Sequence, residues 1–304
     1  MSTSIPHQPE LPPALASDIC TAFDLGEPLN SQKIPSGLMH ANYFLETATG
    51  NYVTRLLGYV DMDILSNERH VQAQLRYQDV PATYMLTANN GDFLHTTHDT
   101  NVTVAEKLAG SHPGRPAADA DCFAVGQALG NFHEVVKSVS YSNERFALVG
   151  RDSTAYRITK LAERGSDVAS NLNRLHRDHA PTVFDADLPQ GILHGDFHSE
   201  NALVHDGTVA ILDLETTFRG PFVLDIGRSL LDLCHRPSGA GMDEQKIDHF
   251  LRGYEQVRSL TSQEQDVLPS AITFACVGVA SWLYLKKHGQ VGKFFLGIAS
   301  ERTF

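Results

Sequence analysis

Period-two alternation of apolar and polar positions belongs to the first third of this chain, and helical periodicity to most of the rest. Asn42-Tyr43-Phe44-Leu45-Glu46-Thr47 alternates, Thr49-Gly50-Asn51 supplies a turn, and Tyr52-Val53-Thr54-Arg55-Leu56-Leu57 forms the returning run. This predicts a β-hairpin, within a stretch from about Gln32 to Asn101 that reads as strands around one helix, Ser66–Tyr77, with Ser66 as its N-cap. A short helix is expected over Ala14–Leu25, after a Pro-rich, loosely attached start from Met1 to Pro13. Beyond residue 110 the apolar positions recur at helical spacing. Phe123, Val125, Leu129, Phe132, Val135 and Val136 mark a helix over Ala120–Val136. Ser153–Arg177 reads as one amphipathic helix, and Asp243–Val257 as another, with Phe250, Leu251 and Tyr254 on its apolar face. Thr261-Ser262-Gln263-Glu264 opens a helix with a capping-box pattern, and Ala271–Leu285 reads as a buried helix too short to cross a bilayer. Between these helices lie three short apolar runs: Gln190–Leu193, Ala202–Val204 and Val209–Leu212. Asp206-Gly207 separates the last two, which predicts a second hairpin.

Composition narrows the class. The 304 residues are 42% hydrophobic and 20% charged, which is ordinary globular usage and enough for two sizeable cores. The four cysteines, Cys20, Cys122, Cys234 and Cys276, form no C-x-x-C pair, so the sequence signals neither zinc nor a redox centre. The start lacks a basic residue followed by an apolar core, and no targeting segment is expected; a reducing cytoplasm is the expected setting. The net charge of −12 argues against nucleic acid as a partner and mildly favours a cationic or neutral substrate. Neither a membrane nor an internal repeat is indicated, and a monomer or homodimer is expected.

Chemistry concentrates between residues 190 and 230. His194-Gly195-Asp196-Phe197-His198-Ser199-Glu200-Asn201 reads H-x-D-x-x-x-x-N, and an apolar run ending in Asp213 follows twelve residues after Asn201. That spacing is the layout of a kinase catalytic loop and its metal-binding aspartate. Phosphoryl transfer needs a carboxylate to orient the attacking hydroxyl, which Asp196 supplies. It also needs oxygen ligands that hold a divalent cation against the phosphates, and Asn201 and Asp213 supply these. A hairpin over 202–212 would bring Asp213 back beside Asn201. The competing reading of H-x-D-x-H is a zinc-hydrolase cluster, which leaves Asn201, Asp213 and Asp225 without a role.

The segment resembles the catalytic motif of the superfamily of aminoglycoside phosphotransferases, choline kinases and type II homoserine kinases. The resemblance rests on His194-Gly195-Asp196 with His198 two positions on, Asp213-Leu214-Glu215, and Pro221-Phe222-Val223-Leu224-Asp225-Ile226-Gly227. It covers roughly residues 30–290 and implies an α+β, protein-kinase-like two-lobed fold. An N-terminal lobe over 1–108 would carry a small antiparallel sheet, and a mainly helical C-terminal lobe over 109–304 would carry the catalytic loop. The implied cosubstrate is ATP, with GTP as the alternative nucleotide, and the implied metal is Mg²⁺. The implied acceptor is a hydroxyl of a small molecule: an amino alcohol, a sugar, or a hydroxylated antibiotic or nucleoside. A metabolic, homoserine-kinase-like role and an antibiotic-resistance role share every motif.

Residue by residue, the resemblance implies that Asp196 is the base and that His194 anchors its loop, with His198 also in the catalytic set. Asn201 and Asp213 would be metal ligands. Glu215 either touches a metal-bound water or caps the following turn, and Asp225 holds the loop from behind. The Ser36–Asn42 segment, with Gly37 and Asn42, would cover the ATP phosphates. Arg55 stands where a lysine is usual and would brace the phosphates, paired with Glu68; the plainer reading is a surface arginine and a helix-cap glutamate. Backbone groups between Ala105 and Leu108 would meet adenine. His133, in a helix motif of the family, reads as a packed rather than a catalytic residue. Asp232, His235, Arg236, Trp282 and Tyr284 are the candidates for substrate contact. A nucleotide-binding pseudokinase would be marked by loss of Asp196, Asn201 or Asp213, and all three are present.

Overall fold

The computed structural model describes residues 8–35, 39–137, 139, 147–236 and 241–301. The chain folds into two compact units, one of residues 1–72 with 83–109 and the other of residues 73–82 with 110–304.

The first unit opens with α1 (Pro13–Phe23) and builds a sheet from β1 (Pro28–Lys33), β2 (Ala41–Thr47), β3 (Asn51–Leu56), β4 (His95–Thr97) and β5 (Thr100–Glu106), with α2 (Met62–Tyr77) between β3 and β4. Strand order is β1-β2-β3-β5-β4, antiparallel throughout. The expected hairpin is β2–β3, with Glu46 opposite Asn51. Alternation along β2 turns Ala41, Tyr43 and Leu45 to one face. There they bury against Leu15, Ile19 and Phe23 of α1 and against Leu56, Val102 and Val104. Helix α2 starts four residues earlier than the sequence suggests. Asp61, not Ser66, caps it, its carboxylate accepting from the N–H groups of Asp63 (3.1 Å) and Ile64 (3.3 Å). Glu68 is therefore in the helix interior, not in the first turn. The last part of α2 belongs to the second unit, where Pro81 O accepts from Ile211 N at 2.9 Å. The boundary expected at 108 thus misses the 73–82 excursion.

The second unit holds α3 (Asp119–Val136), α4 (Arg151–Glu163), α5 (Ala169–Phe184), β6 (Gln190–Leu193), β7 (Ala202–His205), β8 (Thr208–Ile211), β9 (Phe218–Pro221), α6 (Val223–Leu233), α7 (Glu244–Glu255), α8 (Ser262–Leu285) and α9 (Gly289–Glu301). Two expectations change here. Ser153–Arg177 is two helices, α4 and α5, because the chain turns through a left-handed Gly165. The segments begun at Thr261 and at Ala271 are one helix, α8, which runs straight through Pro269. The capping box at its start is formed: Thr261 Oγ1 accepts from Glu264 N, and Glu264 Oε2 accepts from Thr261 N. Continuous, α8 has the length and composition of a membrane span, yet most of it is buried inside the unit as a core helix.

Helices α3 and α7 cross at backbone contact. A Cβ on Gly126 would lie 2.1 Å from Phe250 O, and one on Gly253 would lie 2.0 Å from Phe123 O. No rotamer change relieves a clash with backbone, so the overpacking cost outweighs the helix propensity that alanine adds. Gly253→Ala should cost about 2–3 kcal/mol, read as a lower denaturant midpoint. Gly297→Ala, where a Cβ meets nothing, should not lower it.

Candidate active site

Strands β6 and β9 pair antiparallel, Gly191 opposite Gly220 and Leu193 opposite Phe218, so the chain leaves this ribbon at His194 and rejoins it at Phe218. Between them β7 and β8 form the second expected hairpin, Ala202 opposite Ile211, closed at Asp206-Gly207. The ladder extends one step further, with Leu212 N donating to Asn201 O at 2.9 Å. That step sets Asp213 next to the strand end that carries Asn201. Asp213 has φ 55° and ψ 75°, the left-handed region, which costs a non-glycine residue on the order of 1 kcal/mol or more and is concentrated at functional sites.

The loop is held from below by one helix. Asp225, in the first turn of α6 and fully buried, accepts from His194 N (2.6 Å) and Gly195 N (2.8 Å). The fit requires glycine at 195: its φ is +82°, and a Cβ would lie 2.4 Å from Thr216 O. His194 is fully buried; its Nε2 donates to Leu212 O (2.8 Å), and its Nδ1 accepts from Asp196 N (3.3 Å). Both ring nitrogens are spent on the loop's own backbone, so His194 is an anchor. That consumption removes it from any zinc cluster. Among the described residues no group of three or more His, Cys, Asp or Glu side chains could hold a metal ion, so the hydrolase reading of H-x-D-x-H gains no support.

Asp196 keeps 23% of its side chain exposed, between the buried Gly195 and Phe197. Its Oδ1 accepts from Arg228 Nε at 2.8 Å, and its Oδ2 lies 3.6 Å from His198 Nε2. His198 caps the short turn Ser199–Asn201, its Nδ1 accepting from Glu200 N. Burial pushes its pKa down, against the pull of Asp196, so it is neutral at neutral pH. Asn201 donates from Nδ2 to Asp196 O (2.9 Å), which leaves its carbonyl oxygen as the atom it offers a cation. Asp213 is exposed, and Glu215 is half-buried within the turn Leu214–Thr216. One amide oxygen and one or two carboxylates suit a hard divalent ion that takes its remaining ligands from phosphate and water.

Asp232 lies beneath the loop. It is fully buried and accepts from Ser199 N (3.1 Å), with Arg115 Nη2 at 2.6 Å. Although burial opposes it, His198, Arg228, Arg115 and the Ser199 N–H hold its pKa down to about 2. Of the other proposed contacts, His235 is packed edge-on against Phe294, and Tyr284 is half-buried against Gly289 and Gly292 at the start of α9.

Behind the loop the network continues. His133 on α3 has Nε2 3.0 Å from Asp225 Oδ2 and Nδ1 2.8 Å from Tyr254 Oη. Arg258 donates to Tyr254 Oη (3.1 Å) and to Glu264 Oε1 (2.8 Å), the same Glu264 that closes the α8 capping box. Burial lowers the His133 pKa, so it stays neutral, donating to Asp225 and accepting from Tyr254. His133 is therefore a packed residue, as expected.

In the first unit Arg55 lies on β3, opposite Asn42 on β2 and Thr103 on β5. Its Nη2 is 2.8 Å from Glu68 Oε2, and its Nε donates to Thr103 Oγ1 at 3.2 Å. Glu68 is buried, and Gln72 steadies its other oxygen at 3.4 Å. The two residues singled out as a pair are therefore in contact. Ala105 is buried on β5, and Leu108 is half-buried just beyond that strand. Gly37 lies outside the described residues.

Arg228, Thr216, Arg115 and Tyr254 take part in this site and were missed in the sequence. Arg228 had a legible signal: Asp225, Arg228 and Asp232 fall three and four residues apart on an otherwise apolar helix, so they share one face.

Known proteins resemble this chain in sequence and in fold. The sequence pattern of the family described as "Phosphotransferase enzyme family" matches residues 31–260. A homoserine kinase of Methylobacillus glycogenes is 27% identical over 265 residues, covering 86% of this chain and 80% of that one. Among solved structures, an amicoumacin kinase in complex with AMP-PNP and Ca²⁺ superposes with a TM-score of 0.70 at 14% identity, over 95% of this chain and 93% of that one. An ethanolamine kinase of Plasmodium vivax gives a TM-score of 0.65 at 13% identity, over 89% and 81%. These likenesses bear out the α+β, protein-kinase-like fold.

Proposed function

The chain belongs to the phosphotransferase enzyme family, and from that premise we propose that it is a kinase that moves the γ-phosphoryl group of ATP to the hydroxyl of a small amino alcohol of the homoserine class. The observation that carries the reading is the joint placement of Asp196, Asn201 and Asp213. Asp196 is partly exposed, and the β7–β8 ladder brings together the strand ends that carry Asn201 and Asp213.

The acceptor hydroxyl hydrogen-bonds to Asp196. As its oxygen forms a bond to the γ-phosphorus, the bond from that phosphorus to the ADP oxygen breaks, and the hydroxyl proton passes to the Asp196 carboxylate. Asn201 and Asp213 would hold the divalent cation, with Glu215 beside them. When bound, the cation would neutralise charge on the phosphates. Arg55, made rigid by Glu68 and Thr103, would brace the phosphates as a planar fork rather than a point charge. The homoserine class is favoured by the relatives named homoserine kinase, at 27% and 25% identity over more than four-fifths of this chain. Sugars and hydroxylated antibiotics are the competing acceptors.

The test is ADP release from Mg·ATP across homoserine, choline, ethanolamine, hexosamines, aminoglycosides and nucleoside antibiotics, with Asp196→Ala as the blank. Homoserine should stimulate release from the wild-type protein and not from the variant. Stimulation by a sugar or an antibiotic alone would replace the acceptor and keep the kinase. ATP binding without stimulation by any compound would count against turnover altogether.

A further inference from the structure

We infer that Arg228 is a positioning residue for the reaction: its guanidinium locks the Asp196 carboxylate so that Oδ2 alone faces the acceptor hydroxyl. This rests on the kinase reading above.

The contact is built rather than incidental. Arg228 comes from the middle of α6, and only 5% of its side chain is exposed. Its Nε donates to Asp196 Oδ1 at 2.8 Å, and Nη1 is buried without a hydrogen bond. Holding a guanidinium buried with an unpaired N–H is costly. The fold accepts that cost at the side chain that touches the Asp196 carboxylate.

The helix face explains the design. Asp225 bonds the N–H groups of His194 and Gly195, and Asp232 bonds that of Ser199. The same face thus fixes the loop's backbone on both sides of Asp196. Backbone anchoring leaves the carboxylate free to rotate about its own side-chain bonds. Arg228, lying between the two anchors in sequence, removes that freedom by taking Oδ1. What remains is Oδ2, with His198 Nε2 3.6 Å away. A base held in one orientation delivers an attacking oxygen in line far more often than one that rotates, and small misplacements of reacting groups cost on the order of 10²-fold in rate. A lysine would supply charge but not the planar, fixed Nε–H that Arg228 aims at Oδ1.

The experiment compares wild type, Arg228→Met and Arg228→Lys for kcat, for KM of ATP and for thermal unfolding. The acceptor is L-homoserine, or the panel compound that releases most ADP. Arg228→Met keeps the buried stem, and its kcat should fall about 10²-fold, with KM for ATP within about twofold of wild type. Arg228→Lys should recover less than a tenth of the lost rate. In Arg228→Ala, methylguanidinium at tens of millimolar should restore part of kcat, which a purely structural arginine would not allow. A folded Arg228→Met with wild-type kcat overturns the inference, and so does equal loss of kcat and ATP affinity. If Arg228→Met fails to fold, Arg228→Lys at wild-type kcat overturns it equally. Wild-type protein that turns over no compound defeats the kinase reading itself, which sets the two failures apart.

Discussion

Asp196→Asn should lower kcat by about 10²–10⁴-fold, the range that a positioned general base contributes, while ATP affinity changes by less than about twofold. The substitution preserves shape and the contact to Arg228, since an amide oxygen accepts from Nε as a carboxylate oxygen does. It also leaves untouched the backbone bonds of residue 196, from its N–H to His194 Nδ1 and from Asn201 Nδ2 to its carbonyl. What disappears is the anionic oxygen that faces the hydroxyl. Steady-state kinetics with a nucleotide-binding titration separates the effects. A loss confined to kcat fits a base, whereas a comparable loss of nucleotide binding points to a structural aspartate.

Asp225→Ala should act through the fold. The carboxylate is fully buried and takes three donors: His194 N, Gly195 N and His133 Nε2. Removing it leaves three buried N–H groups unpaired, and the expected destabilisation is about 3–5 kcal/mol with loss of turnover. Asp225→Asn should also destabilise, by less. Whichever way the amide turns, its NH₂ faces at least one of the two backbone N–H groups. Chemical denaturation of each variant measures the cost; a wild-type midpoint for Asp225→Ala would refute the anchoring role. The same pocket gives stability a pH dependence. Burial depresses the His133 pKa below its ordinary 6.5, so the unfolded chain takes up a proton that the fold refuses. This histidine's contribution is complete above about pH 6.5 and is lost as pH falls below it.

Much of this was legible in one dimension. The β2–β3 hairpin follows from strict alternation around a Gly-containing turn, and the β7–β8 hairpin from two apolar runs around Asp206-Gly207. Local geometry dictates both, so local sequence reports them. The capping box at Thr261 is of the same kind. Misreadings occurred where a distant contact outweighed a local signal. Ser66 has the chemistry of an N-cap, but Asp61 is a capping acceptor one turn earlier and buried Ile64 and Leu65 extend the helix to it. Thr261 and Ala271 read as the starts of separate segments, yet Val267, Leu268, Ala271 and Ile272 around Pro269 are buried, and that packing offsets one missing hydrogen bond.

The site divides in the same way. His194, Asp196, Asn201 and Asp213 sit at fixed spacings within one strand–loop–hairpin, and the sequence alone determined their presence and their candidacy for one site. The pairing of Arg55 with Glu68 was anticipated across thirteen residues, through the strand-to-helix order of the first unit. The tertiary structure alone decided which atoms of these residues are spent and which remain available. The His194 ring is consumed by backbone groups, Asp232 is buried beneath the loop, and one oxygen of Asp196 belongs to Arg228. Those assignments depend on how α6 packs under a loop about thirty residues away in sequence. Spacing along a chain specifies which groups are offered, and only packing determines the direction in which each one points.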